Sequence, residues 1–144
     1  MNPYADSSFL VSCYVADANT PQAQAYLSAH PVPLAFTALH ALEVRNALKL
    51  GVFRGLFSAT AAAAAWANVE ADLRAGRLVR MTVKWPVALR VAAQLSEKHT
   101  TTTGTRSLDI LHVAAARSLR AVEFISFDVR QRALAAAVGL KISP

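Results

Sequence analysis

The sequence lacks the features that mark secreted and membrane proteins. Cys13 is the only cysteine among 144 residues, so the chain can form neither an intrachain disulfide nor a cysteine-based zinc site. No run of about 18 apolar residues is present, which argues against a membrane span. The first twelve residues contain Asp6 and no Lys or Arg, so they lack the basic region of a secretory signal. These absences favour a cytoplasmic protein.

Acidic residues are also scarce. The chain has 9 Asp and Glu residues against 15 Lys and Arg residues, a net charge of +6, and 54% of its residues are hydrophobic. This balance excludes an acidic disordered segment and favours a polyanionic partner. The chain is long enough to bury one core, and it shows neither a Pro/Gly/Ser-rich linker nor an internal repeat. We therefore expect one domain over residues 1–144.

Several catalytic and cofactor-binding motifs are missing as well. The sequence contains no Gly-x-Gly-x-x-Gly and no Walker motif, so nothing supports a nucleotide cofactor. It contains no Gly-x-Ser-x-Gly turn that would expose a nucleophilic serine.

Short β-prone runs alternate with alanine-rich, helix-prone segments along the whole chain. We expect strands near residues 3–5, 33–37, 78–83, 122–127 and 141–143. We expect helices over residues 7–15, 21–29, 38–50, 58–75, 85–99, 107–120 and 128–138, and a solvent-exposed loop over residues 100–105. This alternation, with apolar strands, predicts a small doubly wound α/β domain whose mostly parallel sheet is covered on both faces by helices.

Two acidic residues follow predicted strands. Asp6 comes after the first strand and Asp128 after the fourth. In an open parallel sheet, ligands bind beyond the carboxyl ends of the strands, so both acids lie where a site is expected. Each acid could instead cap the helix that follows it, and one such acid alone would not identify a site.

Two further acids interrupt apolar helical patterns. Glu43 falls within the apolar stripe that begins at Leu39, where an unpaired carboxylate would need a cation, a donor or water. Asp109 lies in the largely apolar residues 107–116. The alternatives are that Glu43 lies on the border of the stripe or pairs with an Arg or Lys, and that Asp109 interacts with the dipole of its helix.

A doubly wound fold can bring these acids to one edge. The set consists of Asp6, Glu43, Asp109 and Asp128. Clustered carboxylates raise one another's pKa values unless a divalent cation lies among them, and oxygen ligands favour Mg²⁺ or Mn²⁺ over zinc. Apart from these four acids, 15 basic residues face 5 acidic ones, which fits a phosphate-containing substrate such as RNA.

Residues beside the acids are candidates for supporting roles. Ser7, Ser8 and Ser126 could hold a water molecule or a phosphate, and Arg45, Arg106, Arg130 and Arg132 could bind phosphates or be ordinary surface arginines. His112 follows Asp109 by three residues and could either bond locally in the core or support that acid. The pairs Asp109/His112 and His40/Glu43 also resemble the spacing of di-metal carboxylate bundles, but one pair alone runs from acid to histidine, as those bundles require.

Four stretches of the chain carry a family resemblance. They are Tyr4-Ala5-Asp6-Ser7-Ser8, Leu42-Glu43-Val44, Leu108-Asp109-Ile110-Leu111-His112-Val113-Ala114 and Phe124-Ile125-Ser126-Phe127-Asp128. Together they resemble the PIN-domain nucleases over the whole chain, and among these the VapC-type toxins of prokaryotic toxin–antitoxin pairs. The resemblance implies Asp6, Glu43 and Asp109 as the principal acids, Asp128 as the fourth, and Ser126 where the family often has Thr or Ser.

The resemblance also implies an architecture and an activity. The fold would be a three-layer α/β/α domain with parallel strand order 3-2-1-4-5, and Mg²⁺ or Mn²⁺ would bind at the acids. The protein would be an endoribonuclease that forms homodimers and is inhibited by a small antitoxin. Two alternatives stay open: a PIN nuclease that acts in RNA processing and not as a toxin, and a non-catalytic module whose acids receive a basic segment of a partner protein.

Overall fold

The computed structural model describes residues 2–144, which fold into five short strands and seven helices. The strands are β1 (Tyr4–Ala5), β2 (Leu34–Phe36), β3 (Leu78–Arg80), β4 (Glu123–Ile125) and β5 (Lys141–Ser143). The helices are α1 (Ser7–Tyr14), α2 (Thr20–Ala29), α3 (Ala38–Phe53), α4 (Ala59–Arg74), α5 (Trp85–Thr103), α6 (Ser107–Ser118) and α7 (Val129–Ala137). The predicted alternation of strands and helices is confirmed.

All the strand pairings are parallel. Strand β4 pairs with β1 on one side and β5 on the other, and β2 pairs with β3. One backbone hydrogen bond, from the N–H of Ala35 to the carbonyl of Pro3 at 3.1 Å, links β2 to the segment that leads into β1. The α/β fold with a parallel sheet is therefore confirmed. The order 3-2-1-4-5 stays a prediction, because β1 and β2 are not paired as a continuous ladder.

Strand residues alternate between two apolar cores. Tyr4 and Phe124 enter the core that includes residues of α5, α6 and α7. Ala5 and Ile125 enter the core that includes residues of α1 to α4. Because successive side chains of a strand point to opposite faces, helices cover both faces of the strands. These four strand residues are fully buried, as expected for a covered parallel sheet.

Helix α3 continues through Gly51, close to where the sequence predicted its end. A Cβ at this position would overlap the ring of Phe57, so that ring packs directly against the glycine. The helix ends at Phe53, and Gly55 beyond it has a φ of +69°, a left-handed conformation that glycine adopts without strain. The expected boundary was wrong because this glycine serves packing and not termination.

The expected loop over residues 100–105 was largely wrong. Helix α5 runs to Thr103, whose hydroxyl donates to the carbonyl of His99 at 3.1 Å, so polar threonines are accommodated within the helix. Gly104, with a φ of +64°, ends the helix, and Thr105 is buried. The long helix leads through this short connection into α6, which carries Asp109.

None of the helices within residues 2–144 combines the length and the hydrophobicity needed to span a bilayer.

Candidate active site

The carboxyl ends of β1 and β4 bring together three residues predicted from the sequence. Asp6 follows β1, Ser126 follows β4, and Asp128 lies two residues further on. Asp6 caps α1, since its Oδ1 accepts a hydrogen bond from the N–H of Phe9 at 2.7 Å. Asp128 caps α7 by accepting from the N–H of Gln131 at 2.8 Å. Both acids therefore fill the capping role considered as an alternative, and they do so at the sheet edge where ligands bind.

Asp6 is held in a buried and polar environment. Its exposed fraction is 4%, Oδ1 also accepts from the hydroxyl of Ser8 at 3.0 Å, and Oδ2 accepts from the hydroxyl of Ser126 at 2.6 Å. Burial raises the pKa of Asp6 above its usual value, although the hydrogen bonds from Ser126, Phe9 and Ser8 oppose the shift. No Lys or Arg within residues 2–144 forms an ion pair with this carboxylate. The Asp6 site therefore favours the approach of a cation.

Ser126 links Asp6, which follows β1, to the start of α7, which follows β4. Its hydroxyl accepts from the N–H of Asp128 at 3.0 Å and lies 2.9 Å from Oε1 of Gln131. Gln131 is fully buried, and its Nε2 donates to the carbonyl of Asp109 at 3.1 Å. Sequence reasoning did not single out Gln131. The available signal was its position three residues after Asp128, which is typical of a capping box and predicts a local role in the helix.

Glu43 approaches the edge from α3. Its side chain is 27% exposed, and its Oε1 accepts from the hydroxyl of Ser7 at 3.0 Å and contacts Nε2 of His112. Partial burial acts to raise the pKa of Glu43, but the hydrogen bond and electrostatic attraction of His112, with help from Ser7, hold it below its usual value. The donor that this acid requires is therefore a histidine, and not the Arg or Lys considered from the sequence.

His112 supports Glu43 rather than Asp109. It is buried on α6, its Nε2 faces Glu43, and its Nδ1 lies 2.8 Å from the hydroxyl of Tyr4 on β1. Helix α6 thus contributes two candidate groups, Asp109 and a histidine that contacts an acid on another helix.

His40 has a structural role beside this group. Its ring centroid lies 5.2 Å from that of His112. Its Nε2 is 2.8 Å from the carbonyl of Ala5, and its Nδ1 accepts from the N–H of Thr37 at 2.9 Å. Burial lowers the pKa of His40 to about 3. His40 is therefore a neutral residue that fixes the start of α3 against β1.

Asp109 has a partner on the protein surface. Its side chain is 24% exposed, and its Oδ2 accepts from Nε of Arg106 at 3.0 Å. The side chain of Arg106 is 76% exposed. Ion pairs this accessible contribute little to stability, so Asp109 can exchange this partner for another.

The arginines predicted near the acids differ in their contacts. Arg132 donates from Nη1 to the carbonyl of Ser126 at 2.8 Å and so anchors the end of β4. The guanidinium of Arg45 stacks over an indole ring of α4, 4.2 Å from the ring centroid. Arg106 and Arg130 are exposed beside the acids. These last two are the better candidates for contact with a phosphate.

The acids approach one edge without forming a set of metal ligands. Within residues 2–144, no group of three or more His, Cys, Asp or Glu side chains is placed so that it could hold a metal ion. The donor chemistry nevertheless fits Mg²⁺ or Mn²⁺, because Oε2 of Glu43, Oδ1 of Asp109 and Oδ2 of Asp128 accept no hydrogen bond from this part of the chain. The metal site stays a prediction.

Comparison with known proteins shows relatives in structure. No protein-family model matches the chain, and no curated protein matches its sequence. VapC20 of Mycobacterium tuberculosis, described as a sarcin-ricin loop cleaving toxin, matches with a TM-score of 0.69 and 19% identity over 99% of this chain and 100% of that chain. FitAcB of Neisseria gonorrhoeae matches with a TM-score of 0.61 and 16% identity over 98% of this chain and 96% of that chain. The resemblance to VapC-type proteins is therefore confirmed at the level of the fold.

Proposed function

We propose that this protein is a metal-dependent endoribonuclease and the toxin of a toxin–antitoxin pair. The observation that carries the proposal is that Asp6 and Asp128 follow β1 and β4, while Ser7 and Gln131 connect Glu43 and Asp109 to the same edge. The shared fold supports it, because VapC20 is described as a toxin that cleaves the sarcin-ricin loop. The net charge of +6 would favour association with RNA.

The same four acids would hold one or two Mg²⁺ or Mn²⁺ ions. A bound divalent cation lowers the pKa of a water molecule and offsets negative charge on a phosphate. Asp109 would bind the cation through Oδ1, which accepts no hydrogen bond within residues 2–144. The ion pair of its Oδ2 with Arg106 is exposed and costs little to break, so Arg106 is available to an RNA phosphate.

The protein's own groups orient the acids during this reaction. The hydroxyls of Ser8 and Ser126 hold Asp6, and Ser7 and His112 hold Glu43. Because these donors are already in place, the carboxylates need little reorganisation when substrate arrives.

Hydrolysis adds one water molecule across the phosphodiester bond. The oxygen of a water molecule bonds to phosphorus, and the bond between phosphorus and the 3′ oxygen breaks. A proton from the water ends on that 3′ oxygen, so the products carry a 5′-phosphate and a 3′-hydroxyl. Arg106 and Arg130 would bind the flanking phosphates.

Exposed apolar side chains beside the site favour protein partners. Leu42, the neighbour of Glu43 in sequence, is 67% exposed; Phe53 at the end of the same helix is 87% exposed, and Leu56 in the turn that follows is 71% exposed. The partners we propose are a small cognate antitoxin and a second copy of the chain in a homodimer. The proposed compartment is the cytoplasm, which agrees with a single free cysteine.

One observation favours the non-catalytic alternative. The acids form no ligand group within residues 2–144, and Asp109 already receives a basic side chain from Arg106. In a binding module, the acids would accept basic side chains of a partner and no RNA would be hydrolysed.

Cleavage of total cellular RNA by the purified protein tests the proposal. We expect fragments with Mg²⁺ or Mn²⁺ and none with EDTA. Asp6→Asn and Glu43→Gln should abolish cleavage, and asparagine still caps α1, so the fold should persist. The matched control is Glu97→Gln, an exposed carboxylate on α5, which should cleave like the wild type. Cleavage that survives EDTA or either site variant would reject the assignment of the acids.

A further inference from the structure

A hydrogen-bonded series of three side chains runs from the sheet to the acidic edge. Tyr4 on β1, His112 on α6 and Glu43 on α3 are joined through the two ring nitrogens of the histidine. Tyr4 is fully buried and His112 is 2% exposed, whereas the side chain of Glu43 is 27% exposed. The series therefore begins in the core and ends at a carboxylate that solvent can reach.

The positions of the protons in this series follow from the partners. Burial raises the pKa of Tyr4 above its usual value of 10.0, so its hydroxyl keeps its proton. A glutamate carboxylate accepts hydrogen bonds and donates none, so each group that bonds Oε1 of Glu43 must be a donor. Nε2 of His112 faces this carboxylate and must carry a hydrogen, whether the ring is neutral or charged.

We infer that His112 is a positioning residue that fixes the carboxylate of Glu43 for the proposed reaction. Two donors, Nε2 of His112 and the hydroxyl of Ser7, hold the same oxygen, Oε1. The other oxygen, Oε2, has no donor within residues 2–144 and is left for a cation. Tyr4 fixes the ring from its far side through Nδ1. This inference rests on the proposed function, in which Glu43 is a metal ligand.

The arrangement explains why this helix carries a buried histidine. A carboxylate with one oxygen held in place loses fewer side-chain rotamers when it binds an ion. Partners that orient a ligand in this way commonly change metal affinity by about 10- to 100-fold when they are removed. An apolar side chain would fill the same volume but would leave Glu43 with Ser7 as its remaining donor.

Titration of the RNA-free protein with Mn²⁺, followed through the electron paramagnetic resonance signal of the free ion, tests the inference. We expect His112→Met to weaken Mn²⁺ binding by about 10- to 100-fold. His112→Gln, whose amide can donate to Glu43, should restore affinity to within a few-fold of the wild type. The matched control is His30→Met, at an exposed residue that follows α2, which should bind Mn²⁺ like the wild type.

A second variant acts without altering the ring that touches Glu43. Tyr4→Phe removes the hydroxyl beside Nδ1 and keeps the aromatic ring that stacks on Phe124. We expect a smaller loss of Mn²⁺ affinity, about tenfold or less, with an unchanged far-ultraviolet circular dichroism spectrum. If His112→Met does not fold, the Mn²⁺ affinity of Tyr4→Phe tests whether His112 positions Glu43.

Nitrogen-15 NMR of the histidine rings provides a readout that needs neither metal nor RNA. We expect His112 to carry a proton on Nε2, and we expect the Nε2–H proton resonance to shift upfield in Glu43→Gln, where the acceptor is weaker. An Nε2 without a proton would overturn the inference. So would equal Mn²⁺ affinities in His112→Met and His112→Gln.

The outcomes separate this inference from the proposed function. If the wild type binds Mn²⁺ but cleaves no RNA, the nuclease proposal fails and the Mn²⁺ comparison of the variants still decides the role of His112. If the wild type binds no Mn²⁺, the metal-dependent function fails and so does the inference about a metal ligand, even when the NMR assignment holds.

Discussion

The acidic edge has two halves that are held in different ways. We call Asp6 and Glu43 the buried half, because buried side chains donate to their carboxylates: Ser126 to Asp6, and Ser7 and His112 to Glu43. We call Asp109 and Asp128 the open half, because their donors are an exposed arginine and the N–H of a helix that Asp128 caps. The buried half is therefore set by the fold, whereas the open half can change partners when a ligand arrives.

The two acids of the buried half also differ from each other. Burial raises the pKa of Asp6, while the pKa of Glu43 is held below its usual value because His112 outweighs the effect of burial. Burial and partners both contribute to this difference, since Asp6 is 4% exposed and receives neutral donors, whereas the side chain of Glu43 is 27% exposed and contacts an imidazole. A cation bound at the edge would therefore stabilise the ionised form of Asp6 more than that of Glu43.

The largest expected effect is on catalysis and should be the same in both halves. We expect Asp6→Asn and Asp109→Asn each to lower the rate of RNA cleavage by roughly 1000-fold or more, because the cation contributes several kcal/mol of charge stabilisation. Single-turnover cleavage at saturating Mg²⁺ measures the rate. The control is Glu97→Gln. Near-normal cleavage by Asp109→Asn would mean that the buried half is sufficient and that the open half has another role.

Lowering the pH tests whether His40, which packs beside the buried half, stays neutral in the folded protein. The folded protein holds His40 neutral, with its pKa lowered from 6.5 to about 3. Its contribution to stability is therefore complete above about pH 6.5 and is lost as the pH falls toward 3. We expect the free energy of unfolding of the metal-free wild type to fall by about 2 to 4 kcal/mol more than that of His40→Asn across this window.

Urea unfolding at pH 7, 5.5 and 4 measures this difference. Asparagine can still accept the N–H of Thr37, which keeps the start of α3 in place. The control is His30→Gln, at an exposed residue, which should show the same change of stability with pH as the wild type. Parallel pH dependence in the wild type and His40→Asn would show that the ring is readily protonated, and hence that the buried half is more open than its contacts indicate.

A smaller effect is expected at the serine that joins the halves. Ser126→Ala leaves Oδ2 of Asp6 and the N–H of Asp128 without this partner, so we expect a loss of about 1 to 3 kcal/mol in the free energy of unfolding. Ser28→Ala, an exposed serine on α2, should leave stability unchanged. Equal stabilities of the two variants would remove Ser126 as the link between the halves.

The fold class was easier to predict from the sequence than the partners of the four acids, whose role as a site stays a prediction. Alternation of strands and helices is a local pattern, and acids that interrupt apolar stripes are visible without a structure. The contact of Glu43 with His112 joins residues 69 positions apart, and no local pattern reports it. From the sequence, His112 is expected to bond locally in the core or to support Asp109, its neighbour on one helix. Gln131 was not predicted, because its contact with the carbonyl of Asp109 also depends on tertiary packing.

The smallest expected effect is in the open half, where Arg106 should contribute to RNA binding and not to the stability of the fold. Arg106 pairs with Asp109 on the surface, so Arg106→Gln should leave the thermal midpoint unchanged. If Arg106 binds an RNA phosphate, the slope of log affinity against log salt should become shallower by roughly 0.7 to 0.9. Binding is measured in EDTA, which prevents metal-dependent cleavage, with Arg90→Gln on α5 as the exposed control. A lower midpoint with an unchanged salt slope would assign Arg106 to the folded scaffold. Asp109 would then be fixed as firmly as Asp6, and the two halves would not differ in how their acids are held.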